Sequence, residues 1–354
     1  MDWNAIFSVS LTSAFGPTAV VFALAAIGLN VHFGYTGLVN FGQVGFLAVG
    51  AYTVAMGVDT FGLSFWLCVF LTLFTASALA LILGAPTLRL RADYLAIVTI
   101  ASSEIIRLVL RAARFRETTG GAAGIQNFAG DFFDVNPISG GRGFGVDVPF
   151  TDLRIGIPPG GIDFQIPGTD VGWDYSANQS WVLLVGWGTV ALACLFVYLL
   201  VRSPWGRVLK AIREDEDAVR SLGKNVYVYK MQSLAIGGVI GAIGGVLFAV
   251  GRQSVVPDSL GTALTFFAYV ALVLGGAARV LGPVIGSIVF FFITAFVDVA
   301  LRQAISAGHI SFLVANEVGI VRQILVGVGL MALMIFRPQG IIGDKSEVAV
   351  SVRR

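Results

Sequence analysis

Long apolar runs separated by short polar stretches dominate this chain. Runs near the twenty residues that span a hydrocarbon core about 30 Å thick fall at residues 16–33, 38–58, 63–85, 94–111, 181–201, 231–250, 264–276, 280–301 and 319–336. Each predicts a helix. Together they predict an all-α polytopic membrane protein with about nine transmembrane helices. Two runs are irregular: the second contains Asn40, Gly42, Gln43, Gly45 and Gly50, and the seventh is short and stops at Gly275 and Gly276. Polar or glycine-broken stretches persist at membrane depth only where they face protein or a water-filled path, so these read as broken or re-entrant segments.

Two polar segments interrupt the pattern. Residues 114–179 are rich in glycine, proline and aspartate, and 153–157 and 162–166 alternate in polarity around Pro158, Pro159, Gly160 and Gly161, which predicts a small β-hairpin. Aspartates from Asp131 to Asp174 and Glu117 outweigh Arg114, Arg116, Arg142 and Arg154 there, and Trp173, Tyr175 and Trp181 mark re-entry through an aromatic belt. Residues 202–230 carry Arg202, Arg207, Lys210, Arg213, Arg220, Lys224 and Lys230. An excess of basic residues puts that segment in the cytoplasm, with Arg89, Arg91 and the tail bearing Lys345, Arg353 and Arg354. The chain then divides into N-terminal transmembrane helices (1–113), an external loop insert (114–179), one transmembrane helix (180–201), cytoplasmic helices (202–230), C-terminal transmembrane helices (231–337) and a cytoplasmic tail (338–354). The N-terminus comes out external. Arg107, Arg111, Arg114 and Arg116 resist this, clustering at the outer end of the fourth helix. Either partners within the protein hold them, or that helix does not cross as drawn.

Composition excludes the soluble classes. The chain is 56% hydrophobic and 12% charged over 354 residues, against about 25% charged in ordinary soluble domains. A net charge of +2 gives no reason to expect nucleic acid. Cys68 and Cys194 sit in apolar runs and are too few for a disulfide framework. The first residues lack the basic region of a signal peptide, so the first apolar run is expected to remain as a helix. His32 and His309 lie far apart, without metal-ligand spacing, and no metal site is expected. No phosphate-binding loop of the G-x-x-x-x-G-K-[ST] kind occurs, so no ATP chemistry is expected on this chain.

The cytoplasmic segment carries the clearest local signals. Ser203 is expected to cap a helix with Pro204 at its first position, and Trp205, Val208, Leu209 and Ile212 repeat on one face. After Glu214, Asp215, Glu216 and Asp217 come Ala218, Val219 and Leu222, with Gly223 as the expected stop. One or two short amphipathic helices follow, read either as a solvated loop, as a helix lying on lipid, or as a docking surface. Within the membrane, polar residues are the default candidates for a solute path because each is costly in lipid. Asn40 and Gln43 share a face of the broken second segment, and Glu104 and Arg107 are spaced to pair, either structurally or along a path. Asn30, Thr53, Gln232 and Asp298 are weaker candidates. Gly237, Gly241 and Gly245, and Gly282 with Gly286, read as tight helix packing.

Asp217-Ala218-Val219 followed by Gly223 resembles the Glu-Ala-Ala-x-x-x-Gly coupling motif of bacterial ABC importer permeases, with Asp for Glu and Val for the second Ala. Residues 212–225 (IREDEDAVRSLGKN) resemble more narrowly the permeases of branched-chain amino acid importers. So do residues 34–51 (GYTGLVNFGQVGFLAVGA), 89–108 (RLRADYLAIVTIASSEIIRL) with Thr119, Gly120, Gly121, Gly124 and Ile125, and 274–286 (LGGAARVLGPVIG). These strings cover the chain except the insert and the extreme termini, and the M-type (LivM) subunit is the nearest match. Ala123 stands where the family commonly has Asn, and the insert looks longer than usual. Both departures lie on the side where a binding protein would dock.

The resemblance implies a permease subunit moving branched-chain amino acids inward by alternating access, multi-pass in a bacterial inner membrane. It implies no cofactor on this chain, with ATP and Mg on two cytoplasmic ATPase subunits. A second homologous permease, an extracytoplasmic solute-binding protein and membrane lipid complete the implied partners. Trp205, Leu209, Ile212, Val219 and Leu222 would then seat in a groove on the ATPase, with Glu214, Glu216 and Asp217 setting register at the polar rim and Ala218 and Gly223 completing the coupling motif. Related permeases for urea share much of this architecture, and an ATP-independent transporter or channel is the rival of another class. A membrane-embedded enzyme lacks the residue clusters it would need.

Overall fold

The computed structural model describes residues 2–88, 92–138, 144–147, 154–157, 161–165, 172–307, 318–337 and 339–343. Arg89, Arg91, Arg142, His309, Lys345, Arg353, Arg354 and the 158–160 part of the expected turn lie outside these. In chain order the helices are α1 (Trp3–Phe15), α2 (Pro17–Leu29), α3 (Gln43–Asp59), α4 (Phe65–Thr87), α5 (Ala92–Arg111), α6 (Arg116–Thr119), α7 (Gly130–Asp134), α8 (Ala177–Arg202), α9 (Pro204–Glu214), α10 (Glu216–Ser221), α11 (Val226–Arg252), α12 (Ala263–Gly275), α13 (Gly282–Ser306) and α14 (Val318–Phe336). The strands are β1 (Ile125–Gln126), β2 (Phe144–Asp147), β3 (Arg154–Ile157), β4 (Gly161–Gln165), β5 (Gly172–Ser176) and β6 (Ser254–Val255).

Among the described residues, six helical segments are long and apolar enough to cross a membrane: Pro17–Tyr35, Phe65–Thr87, Ala177–Arg202, Val226–Arg252, Pro257–Gly275 and Gly282–Ser306. These coincide with six of the expected crossings. The other three expected spans also form helices: α3, which starts only at Gln43 because the preceding residues are irregular, α5, which carries charges, and α14, an apolar helix of 19 residues. Six crossings are supported by length and hydropathy among the described residues. α1 was not foreseen at all; it is set off from α2 at Gly16, whose ψ of 171° leaves the helical region, and Pro17 opens α2 where no N–H is missed.

α11 is the central helix, packed against α2, α3 and α4. It is mostly buried, and its glycines let neighbouring backbones touch it. A Cβ built on Gly245 would lie 2.7 Å from Leu47 Cα, and one on Gly50 would lie 2.8 Å from Ala242 Cα. On α2, Gly28 meets the backbone of Gly237 in the same way. The glycine spacing is thus explained by packing, as expected. α12 and α13 form a second close pair, in which Gly275, Gly276, Gly282 and Gly286 meet one another.

The insert departs from expectation in its pairing. Strands do occupy the alternating stretches, but β3 pairs antiparallel with β2, and β4 with β5, in separate two-stranded sheets. Among the described residues β3 and β4 are not paired with each other, and the turn expected to join them lies outside those residues. β1 pairs with β6, reached through Gly120, Gly121 and Gly124, all of positive φ (72°, 59° and 73°).

Candidate functional site: a helical bracket bound to a broken helix

α9 and α10 form an L-shaped bracket after α8. Pro204 occupies the first position of α9, as expected, but the Ser203 hydroxyl does not cap it. It donates back to the Leu200 carbonyl of α8 at 2.6 Å. Gly206 lies so close to Val201 that a Cβ would meet its backbone, which fixes the corner between α8 and α9. Asp215 separates the two helices with extended backbone, and its carboxylate accepts from the N–H groups of Asp217 and Ala218, both at 3.0 Å. Such a cap is worth about 1 kcal/mol. Gly223 follows α10 with φ 76°, a left-handed position that glycine alone adopts without strain.

The apolar face of the bracket points inward. Leu209, Ile212 and Val219 are buried in the chain's own core, and the Trp205 indole donates to Gln232 of α11 at 2.7 Å. Leu209, Ile212 and Val219, expected to seat in a partner's groove, are thus covered within the chain itself, while Trp205 is only partly buried. An amphipathic pattern predicts that one face is covered, and here the underside of the bundle covers it. Glu216 is also engaged within the chain, by Arg220 at 2.5 Å and by Lys230 of α11. The outward side carries Glu214, Asp217, Ala218, Ser221 and Gly223, with Leu222 79% exposed among them.

Above the bracket, α2 runs into a π-helical turn, Asn30–Tyr35, before the irregular stretch that precedes α3. A connected polar network holds this break. His32 Nε2 lies 3.1 Å from the Leu234 carbonyl, which only accepts, so Nε2 carries the proton and Nδ1 accepts from Asn40 Nδ2 at 3.1 Å. Asn40 also donates to Gln43 at 3.3 Å and accepts from the Gly42 N–H at 2.9 Å, while Gln43 donates to the Gly237 carbonyl at 3.1 Å. Thr36 and Ser233 share a hydrogen bond of 2.6 Å, and the Asn30 amide brackets Ala278 N and Arg279 O, both at 2.8 Å. Sequence reasoning singled out Asn40 and Gln43 but missed His32 as their partner. The structure brings these three together, with every polar side-chain atom used inside the chain.

Glu104 and Arg107 lie elsewhere, near the end of α5. Arg107 binds Glu104 and reaches Asp258 at 2.5 Å, and Arg111 joins the same carboxylate at 3.2 Å. Asp258, between α11 and α12, thus answers two of the four arginines that resisted the charge rule. The weaker candidates are engaged too: Thr53 with Thr75, Gln232 with Trp205, and Asp298 with Arg302 and Arg322. Cavities open among the described residues. One of about 420 Å³ is apolar, between α4, α8 and α11, and one of about 470 Å³ is polar, lined by Gln126, Asn178, Arg252 and Gln253 among others. Neither is lined by Asn40, Gln43, Glu104 or Arg107. Among the described residues no group of side chains is arranged to hold a metal ion.

The family model described as "Branched-chain amino acid transport system / permease component" matches residues 13–335. The chain belongs to this family. As one of its permease components, the chain is a multi-pass membrane transport subunit of an ABC importer and not an enzyme. It is 31% identical to the high-affinity branched-chain amino acid transport system permease protein LivM of Escherichia coli K12, over 91% of this chain and 68% of that protein. The LivM protein of Salmonella typhimurium LT2 is 31% identical over the same shares. A probable branched-chain amino acid transport permease protein LivM of Methanocaldococcus jannaschii is 24% identical over 94% of each chain.

Proposed function

We propose that this permease forms one half of a gate that passes branched-chain amino acids into the cell by alternating access. A second, homologous permease completes the gate, two cytoplasmic ATPases supply Mg-ATP hydrolysis, and an extracytoplasmic binding protein delivers the solute. The membrane is a bacterial inner membrane, with the C-terminus in the cytoplasm. One observation carries the coupling role: α10 is capped, the corner from α8 into α9 is tight and both helices are anchored from inside, yet Leu222 is exposed among charged residues on the outside. A single apolar anchor with a charged rim suits a helix-in-groove contact. A bracket seated on the bundle passes a push onward, where a loose loop would absorb it.

The roles of the single residues divide accordingly. Leu222, Ala218 and Gly223 meet the ATPase, Glu214 and Asp217 set register at the rim, and Trp205, Leu209, Ile212, Val219 and Glu216 hold the bracket to the bundle. Asn40 and Gln43 hold the helix break. Glu104 and Arg107, on a helix with an exposed flank, are the candidates for the outer end of the path. The names of the relatives support the solute class, and the apolar, glycine-rich interior suits a branched side chain.

The test is uptake into proteoliposomes holding the whole complex, with leucine, isoleucine, valine and urea offered in turn. ATP-dependent uptake of the three amino acids is expected. Uptake by this chain without an ATPase sinks the coupling reading, and uptake of urea alone sinks the solute.

A further inference from the structure

A charged hydrogen bond links the bracket to the broken helix. Arg213, at the end of α9, donates from its guanidinium to the Gly34 carbonyl at 2.6 Å. That carbonyl lies in the last turn of the π-helical segment, where main-chain acceptors lack helical partners and carry the negative end of the helix dipole. A guanidinium suits such an acceptor because it stays charged and forms a directed bond. The stem of Arg213 lies over Gly37, where a Cβ would stand 3.3 Å from Arg213 Cγ and where φ is +74°. One turn earlier on α9, the Lys210 ammonium sits 6.0 Å from the centre of the Tyr35 ring.

The π-helical turn is bound on its other sides as well. Asn30 ties it to the loop between α12 and α13, at Ala278, a non-glycine residue held at φ +60°. His32, together with Asn40 and Gln43, ties it to α11. A π-helical turn carries one residue more than an α-helical turn, an irregularity that recurs at sites where function demands it. This one is tied to the α12–α13 loop and to α11, and it receives Arg213 from α9.

We propose that Arg213 is the positioning residue that passes displacement of α9 to the broken helix, and through it to α11 and the α12–α13 loop. This rests on the reading of α9 and α10 as the surface driven by ATPases. Bracket and π-helical turn move as one because Arg213 holds them by head and stem together. Without that bond α9 slides beneath the turn, and ATP is hydrolysed without opening the path.

The test uses the assembled complex with Arg213→Gln and Arg213→Lys. Three quantities are read: ATPase subunits retained on purification, solute moved per ATP hydrolysed, and hydrogen exchange across residues 30–38 with and without trapped nucleotide. Arg213→Gln is expected to keep its ATPases and their hydrolysis while solute per ATP falls about tenfold, the loss of a charged bond made in one state of the cycle. The nucleotide-dependent change in exchange at 30–38 is expected to vanish, and Arg213→Lys, keeping charge and a donor, is expected to recover part of both. Wild-type solute per ATP in Arg213→Gln overturns the proposal. Loss of the ATPases with an unchanged exchange response also overturns it, since a docking residue behaves that way. If the wild-type complex hydrolyses ATP but moves no branched-chain amino acid, the functional reading fails, while the exchange response still reports on Arg213.

Discussion

Gly245→Ala on α11 exposes how the bundle is held. Its methyl group would stand 2.7 Å from both the carbonyl carbon and the Cα of Leu47, backbone atoms of α3. Carbon atoms pack at about 3.5–4.0 Å, so α3 and α11 must part by about 1 Å at this point. Neither atom belongs to a side chain that can turn away. Overpacking costs about 1–3 kcal/mol, and rigid backbone on both sides argues for the upper end. Alanine recovers up to about 1 kcal/mol in helix propensity, which leaves a net loss of about 2 kcal/mol. Gly188→Ala on α8 is the matched control, because nothing lies within 4 Å of the new Cβ. The assay is the half-life of the purified complex at a fixed raised temperature, since membrane complexes denature irreversibly. Gly245→Ala is expected to shorten that half-life by up to about thirtyfold, taking about 1.4 kcal/mol per factor of ten, while Gly188→Ala keeps or lengthens it. Equal half-lives for the two variants refute the packing argument.

Three further outcomes follow from the same structure. Leu222→Asp, at a residue 79% exposed, is expected to leave the chain's stability unchanged but to weaken ATPase retention by about 2 kcal/mol, the size of an interface anchor; pull-down of the ATPases checks it. Asn40→Ala strands His32 Nδ1 and one Gln43 contact in the interior, and a loss of about 1–3 kcal/mol is expected, read as faster thermal inactivation. Asp258→Ala removes a carboxylate that is 48% exposed, so its stability cost is expected to stay below about 1 kcal/mol. A larger loss would mean that Arg107 needs Asp258 to be tolerated where it sits.

How far the sequence could be read depends on whether the deciding contact is local. Apolar runs of spanning length marked six helices long and apolar enough to cross a membrane, because hydropathy is summed over neighbours in the chain. Pro204 and Gly223 mark positions whose backbone demands are their own, and both lie where the pattern put them. The three-four spacing of Trp205, Val208, Leu209 and Ile212 announced a covered face without naming the cover, and Leu209 and Ile212 are covered by the chain's own bundle. The π-helical turn left no trace in the pattern, since one extra residue in a buried helix changes no polarity. Arg213 was one basic residue among several; only a carbonyl 179 positions away sets it apart. The strands near the double proline were legible, but their partners, at 144–147 and 172–176, were not.

The glycine seams and the polar network together decide where this chain can bend. α2, α3 and α11 touch at backbone level through Gly28, Gly50 and Gly245, so sliding any one past another needs the backbones to part. The hydrogen bonds from His32, Asn40 and Gln43 close the same three helices at the break, where these side chains are buried and an unmade bond is costly. Packed interfaces of this kind shift between discrete arrangements and do not deform smoothly. A push on α9 that arrives through Arg213 is therefore not dissipated inside this group. It must appear at the boundary of the group, against α4, α8 or a neighbouring subunit. This is why a single hydrogen bond at Gly34 can matter for transport while contributing little to the stability of the bundle.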